Sequence, residues 1–303
     1  PDFLRLYQAA YVGLQLRGTG VERLHAHFAG MAARTAFWVR EFFGIPFSFT
    51  AHANDVFAPR EFAIGLPKLM EGAAAIVTVS DFSANDLRAR FPNAADKVHR
   101  VYNGIALDRF RTAEFADETP LILSVGRLIE KKGFADLIGA CVLLRDAGVE
   151  FRCEIIGEGP LEAVLAAQIA EAQVGARVRL VGPRSQSALA ERLTAAHLFV
   201  LPCIKDKDGG MDNLPTVIME AMASGLPVIS TALAGVPEMV DPGRTGELVP
   251  ERNPVALAGA MGDLLRDQEK ARRLGRRGRE VTAEKFAIER NVRALTRILQ
   301  GMD

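Results

Sequence analysis

The run Leu121-Ile122-Leu123-Ser124-Val125-Gly126-Arg127-Leu128-Ile129-Glu130-Lys131-Lys132-Gly133 is followed by a helix-period segment from Phe134. Five residues with almost no polar alternation suit a strand covered on both faces, and the glycine ends it. The same unit recurs downstream at Arg152–Ile156, Val178–Val181, Leu198–Leu201 and Val228–Ser230, each run followed by helical sequence. Upstream, strands are expected at Arg23–Ala26, Pro46–Thr50, Ala75–Val79 and Val98–Tyr102. Helices are expected at Leu4–Arg17, Ala32–Phe43, Glu61–Gly72 and Phe82–Phe91. Alternating strands and helices imply parallel sheets with helices on both sides, an α/β class. The polar stretch Arg111–Thr119 suits a linker between two such series. Residues 1–112 and 113–281 are therefore read as two domains, with 282–303 as a C-terminal helix packing back towards the first. That helix, Phe286–Leu299, carries Ile288, Val292, Leu295 and Leu299 at helical spacing.

With 303 residues, 49% hydrophobic and 24% charged, the chain has the material for two buried cores, and disorder or a cystine scaffold is excluded. Thirty-seven basic against 37 acidic side chains leave no basic excess for nucleic acid. Cys141, Cys153 and Cys203 give neither a disulfide framework nor a zinc pattern, so a reducing, cytoplasmic compartment is expected. The uncharged run Ala221–Pro237 is broken by Gly225, Pro227 and Gly235 and cannot cross a membrane. Arg266–Arg279 holds seven basic and two acidic residues. It reads either as a solvated helix face or as contact with an anionic membrane surface. The chain opens on Pro1 and is read as incomplete at its N-terminus.

Ligands of doubly wound domains bind beyond the carboxyl ends of the strands, so chemistry is expected in the loops that follow them. Gly126, Arg127 and Lys132 lie between a strand end and a helix start, an arrangement suited to an anion; a solvated charged loop is the alternative. The spacing of a nucleotide-triphosphate P-loop is absent. Gly157-Glu158-Gly159-Pro160 lacks a third glycine and reads as a tight strand–helix turn, which disfavours hydride chemistry on a nicotinamide. Pro215 and Gly225 bound a helix in which Glu220 stands among apolar neighbours, and a carboxylate so placed needs a partner such as a ribose diol. Asp212 lies at that helix's mouth. Asp206-Lys207-Asp208 reads as a solvated loop, with metal binding the lesser alternative. Gly235 with Val236-Pro237 reads as a second helix start and a second anion nest.

These residues resemble the retaining family-4 glycosyltransferases of the GT-B fold, in which two Rossmann-like domains face across a cleft. The motifs are Gly126-Arg127-Leu128 with Lys131-Lys132-Gly133, the acid pair Asp212…Glu220 eight residues apart, the Glu220-to-Gly225 block, and the turns at Gly235–Glu238 and Asn103–Ile105. His25-Ala26-His27-Phe28 and Thr50–Asp55 match segments of the first domain, and the detail is similar to bacterial exopolysaccharide and colanic-acid-type members. The resemblance implies a metal-independent hexosyltransferase without a cofactor. A nucleotide-diphosphate sugar is the donor, a glycan or lipid-linked molecule the acceptor, and the inner face of the membrane a place of work. Domain 1–112 would be the acceptor side and 113–281 the donor side. Arg127 and Lys132 would hold the diphosphate and Glu220 the ribose. Asp212 would hold sugar hydroxyls, and His52 would lie against the transferred sugar. Asn213, Leu214, Pro215, Gly126 and Gly235 would complete the donor site. His27 reads either as part of that site or as a structural strand-end histidine.

Asp212-Asn213 stands where the family usually has Glu-Gly, and the glycine-rich loop after the family's first strand has no counterpart here. The chain as given is therefore expected to bind nucleotide yet turn over poorly. An epimerase or hydrolase of the same architecture, and a non-catalytic nucleotide-sugar-binding protein, are the alternatives.

Overall fold

The computed structural model describes residues 2–57, 62–115 and 119–301. Two compact units account for them: residues 1–103, 208–213 and 289–303 form one, residues 104–207 and 214–288 the other.

The first unit runs α1 (Asp2–Leu16), β1 (Leu24–His27), α2 (Met31–Phe43), β2 (Phe47–Ala51), α3 (Ala53–Phe57), α4 (Leu66–Gly72), β3 (Ala75–Thr78), α5 (Asp81–Arg90) and β4 (Val98–Arg100). The strands pair in parallel in the order β1-β2-β3-β4. One core gathers Phe47, Phe49, Leu69, Ile76 and Leu87. On the other face of β3, Ala75 and Val77 pack with Ile298 and Leu295 from the chain's last helix.

The second unit contains β5 (Leu121–Val125), α6 (Phe134–Asp146), β6 (Arg152–Ile156), α7 (Glu162–Glu171), β7 (Val178–Gly182), α8 (Gln186–Ala195), β8 (Leu198–Leu201), α9 (Thr216–Ala223), β9 (Val228–Thr231), β10 (Gly246–Val249), α10 (Pro254–Arg266) and α11 (Gln268–Phe286). After it comes α12 (Ile288–Gln300), most of which belongs to the first unit. Six parallel strands run in the order β10-β9-β8-β5-β6-β7. Crossovers therefore leave β5 in one direction and β8 in the other, and such a switch opens a crevice at the carboxyl ends of those two strands. Hydroxyls buried there are satisfied across the sheet. Ser230 Oγ donates to the Leu201 carbonyl at 2.6 Å, Ser124 Oγ to that of Val200, and Thr231 Oγ1 to that of Cys203.

The expected strands lie within two residues of the observed ones, and several expectations are corrected. The helix expected at Glu61–Gly72 begins at Leu66, because Gly65-Leu66-Pro67 sets its start with the proline in the first turn; Glu61 lies outside the described residues. The helix expected at Phe286–Leu299 begins at Ile288. Phe286 closes α11, and Ala287 leaves helical geometry to bridge Ile105. Residues 111–115 of the expected linker are fastened to the second unit: the amides of Ala113 and Glu114 donate to the carbonyls of Ser224 and Thr194, and Ala113 and Phe115 are buried. Residues 116–118 of that stretch lie outside the described residues. Two short elements, α3 and β10, were not anticipated.

Candidate functional site

The second unit carries the larger share of the expected site. Gly126 leaves β5, its amide donating to the Ile156 carbonyl at 3.0 Å, and a single 3-10 turn, Glu130–Lys132, leads through Gly133 into α6. The side chain of Lys132 lies along Gly126: a Cβ at 126 would stand 3.2 Å from Lys132 Cδ and Cε. Gly126 is small so that this lysine can lie back over the strand end. Arg127 is exposed, and its side chain makes no hydrogen bond or ion pair among the described residues, while its carbonyl accepts from the Ile129 amide at 2.8 Å. Lys131, grouped with these cations in the sequence, is instead buried, and its carbonyl accepts from the Ile204 amide at 3.0 Å.

This loop is braced on three sides. Towards β6, the Leu128 amide donates to the Glu158 carbonyl at 2.8 Å and the Leu161 amide to the Leu128 carbonyl at 3.0 Å. A Cβ at Gly159 would stand 2.6–2.7 Å from Leu128 backbone atoms. The Gly157-Glu158-Gly159 turn is thus a seat for the cationic loop. Towards β8, Gly133 (φ 67°) abuts the Pro202 carbonyl so closely that no side chain fits. A third brace comes from the turn after β10. Glu251 Oε2 accepts from the Lys205 amide at 2.6 Å, while Arg252 (φ 53°) donates to the Lys205 carbonyl at 2.8 Å and pairs with Glu130 at 3.4 Å.

Glu220 sits within α9. Pro215 is that helix's N-cap rather than part of its first turn, and Gly225 (φ 70°) follows the Ser224 C-cap. Glu220 borders a cavity of about 300 Å³ together with Arg109, Phe110, Gln186, Ser187, Leu189 and Ala190. Burial raises its carboxyl pKa, and the charge of Arg109 opposes that shift. Arg109 in turn donates to Gln186 Oε1 at 2.5 Å. Sequence reasoning missed Arg109 and Gln186, which only the fold brings to Glu220. Leu214 and Pro215 are buried, and Gly235 is buried as well. The helix start expected at Val236-Pro237 is corrected: Val236–Glu238 is one 3-10 turn, too short to add the field of an α-helix end.

In the first unit, Asp212 is half-buried and Asn213 is 3% exposed. Ser80 Oγ donates to Asn213 Oδ1 at 2.6 Å, and Asn213 Nδ2 donates to Ser83 Oγ at 2.7 Å. Ser80 also caps α5, accepting from the Ser83 amide. Along β1 and the end of β2 lies a histidine cluster. His25 bonds Ser48 Oγ and Thr50 Oγ1 at 2.9 and 3.0 Å, and His27 Nε2 stands 2.8 Å from His52 Nε2. Burial first, then the neighbouring His27, lower the His52 pKa to about 4, against a smaller opposite effect of Asp55.

A cluster of basic residues lies on α11. Arg272, Arg273, Arg276 and Arg279 line a cavity of about 570 Å³ with Glu114 and Glu269. Arg277 pairs with Glu280, and Lys270 with Glu247. Among the described residues, no cluster of three or more His, Cys, Asp or Glu has metal-site geometry, and no helix is long and apolar enough to cross a membrane.

Family comparison agrees with this architecture. The glycosyl transferases group 1 family matches residues 108–281, and Glycosyltransferase Family 4 matches residues 2–109. The chain belongs to the group 1 glycosyl transferases and has the GT-B fold. Among curated relatives, WcaL of Salmonella typhimurium, named for colanic acid biosynthesis, is 38% identical over 74% of this chain and 56% of its own length. AmsK of Erwinia amylovora, named an amylovoran biosynthesis glycosyltransferase, is 40% identical over 55% of this chain and 42% of its own. The chain thus spans about half the length of these relatives. Sucrose-phosphate synthase from Thermosynechococcus elongatus superposes with a TM-score of 0.82 at 23% identity, covering 97% of this chain and 77% of that one. Anabaena HepE, solved in complex with UDP, gives 0.82 at 17%, covering 97% and 82%.

Proposed function

We propose that this chain is the nucleotide-sugar-handling part of a bacterial hexosyltransferase of polysaccharide biosynthesis. It would pass a hexose from a nucleotide-diphosphate sugar to a glycan or lipid-linked acceptor with retention of anomeric configuration. The observation that carries the reading is the second unit's loop arrangement. A lysine laid over Gly126 and an exposed Arg127 stand at the carboxyl end of β5, and the same unit holds Glu220 at the rim of a 300 Å³ cavity. The names of WcaL and AmsK and the UDP complex of HepE add support for the process and the class of donor.

In this reading Arg127 and Lys132 hold the diphosphate, Glu220 accepts from the ribose hydroxyls, and Asp212 accepts from the sugar. The backbone of Asn213, Leu214 and Pro215 and the small Gly126 and Gly235 border the donor, and His52 lies against the hexose. The anomeric C–O bond breaks with its electron pair leaving on the diphosphate, and the acceptor oxygen bonds the same face of the sugar. The acceptor's proton passes to the departing phosphate oxygen. Fixed cations stabilise the developing negative charge without a metal or other cofactor. The protein would work in the cytoplasm, with the arginines of α11 meeting an anionic membrane.

A thermal-shift screen with UDP, GDP and ADP sugars tests the donor assignment. One of them raises the melting temperature of the wild-type chain and fails to do so for Glu220→Ala. If none does so at millimolar concentration, the reading fails.

A further inference from the structure

We propose that His27 is a positioning residue for His52: the bond between their Nε2 atoms, together with the Phe28 ring, fixes the plane and tautomer of the His52 imidazole. The inference rests on the reading of His52 as the side chain beside the transferred sugar.

The sequence places these groups on one face. Ser48 and Thr50 alternate along β2 and His52 continues their spacing, while His25 and His27 alternate along the neighbouring β1, paired in register with Ser48 and Thr50. The inner histidine, His25, has both ring nitrogens committed to hydroxyls. The outer pair is built differently. The rings of His27 and His52 stand 4.5 Å apart, and Phe28 contacts both, at 4.9 Å from His27 and 4.6 Å from His52. Phe28 reaches there only because its backbone adopts φ 73°, a left-handed conformation costly for a bulky residue, and it remains 51% exposed.

The strained turn is braced from within. Arg34, 4% exposed, donates to the carbonyls of Ala29 and Gly30 at 2.6 and 2.7 Å, its guanidinium 3.6 Å from the centre of the Phe62 ring. The His52 amide donates to Asp55 Oδ2 at 2.9 Å, which fixes the other histidine's backbone. A bond between two Nε2 atoms needs one Nε2–H as donor and one bare Nε2 as acceptor, so the pair cannot carry two protons at those nitrogens. The groups facing His52 are His27 and Phe28 from the β1 end and Asp55 from α3. A cationic His52 would repel the positive charge that grows on the hexose as its C–O bond breaks. His27 therefore keeps an uncharged hydrogen-bonding ring where charge of that sign develops.

The test is an imidazole nitrogen NMR titration of the five-histidine chain, joined to donor turnover by the protein. In wild type, His52 titrates near pH 4 and its neutral form shows a single tautomer. In His27→Ala, His52 titrates at higher pH and its tautomers mix, while donor turnover drops on the order of 10²-fold. In His27→Gln, whose amide replaces the ring nitrogen, most of the turnover returns. Phe28→Leu keeps His27 and tests the ring contact alone, mixing the His52 tautomers should His27→Ala fail to fold. An unchanged His52 titration and tautomer in His27→Ala or Phe28→Leu overturns the proposal. Wild-type turnover by His52→Ala, with the single His52 tautomer intact in the parent, instead overturns the assignment of His52 to the sugar.

Discussion

Asn213 is clasped by Ser80: the serine hydroxyl donates to the Asn213 carbonyl oxygen at 2.6 Å, and the amide passes the chain of bonds on to Ser83 at 2.7 Å. The residue that departs from the glycine usual in the resembling family is thus an anchor for the acidic loop 208–213 on the start of α5. Asn213→Ala leaves two buried hydroxyls short of a partner and is expected to cost about 1–3 kcal/mol. Urea unfolding measures it, and an unchanged midpoint would deny the anchor.

Glu220 supplies a prediction of two signs. Its folded pKa is raised, so the native state binds more protons than the unfolded chain between the unfolded and folded values, and stability falls as pH rises through that window. Glu220→Gln is therefore at least as stable as wild type at neutral pH. Donor affinity moves the other way, growing as the carboxylate ionises and lost in the Gln variant. Melting curves with and without nucleotide-sugar at several pH values separate the two effects.

Arg127→Ala and Lys132→Ala are each expected to lower turnover by about 10²-fold or more, because each removes fixed charge from the departing diphosphate. Single-turnover measurement of donor cleavage is the check. A rate like that of wild type for either variant takes that residue out of the site.

Much of the second unit is legible in the sequence, since its central strands announce themselves as short, mostly apolar runs, and β5, β6 and β8 fall at the bounds expected. Less regular features depend on contacts remote in the chain. Nothing near Phe286 indicates that Ala287 bridges Ile105, and β10, carrying Gly246 and Glu247, has no apolar run to mark it. Arg109 meets Glu220, and Lys131 turns inward beside Lys132, only through tertiary packing.

Gly133→Ala should be among the harshest single changes. The added methyl meets the Pro202 carbonyl and the backbone is left-handed, together expected to cost about 1–3 kcal/mol or more. A loss of donor affinity beyond the loss of stability would accompany it, since the cationic loop rests on that contact.

The arginines of α11 give a salt-dependent test. Arg273→Glu with Arg276→Glu should weaken binding to vesicles rich in phosphatidylglycerol by an order of magnitude or more, at about 1 kcal/mol per charge near the surface. Sedimentation that does not distinguish the double variant from wild type would remove the membrane from the proposal.

The peptide of Lys205 is gripped at its amide by Glu251 and at its carbonyl by Arg252, two consecutive side chains that reach it from a surface turn. Surface turns ordinarily accept insertions and tags without complaint. This one is a caliper whose gauge is set by its length: one residue added between positions 250 and 253 would open both jaws at once. Anyone splicing a reporter into this protein should look elsewhere on its surface.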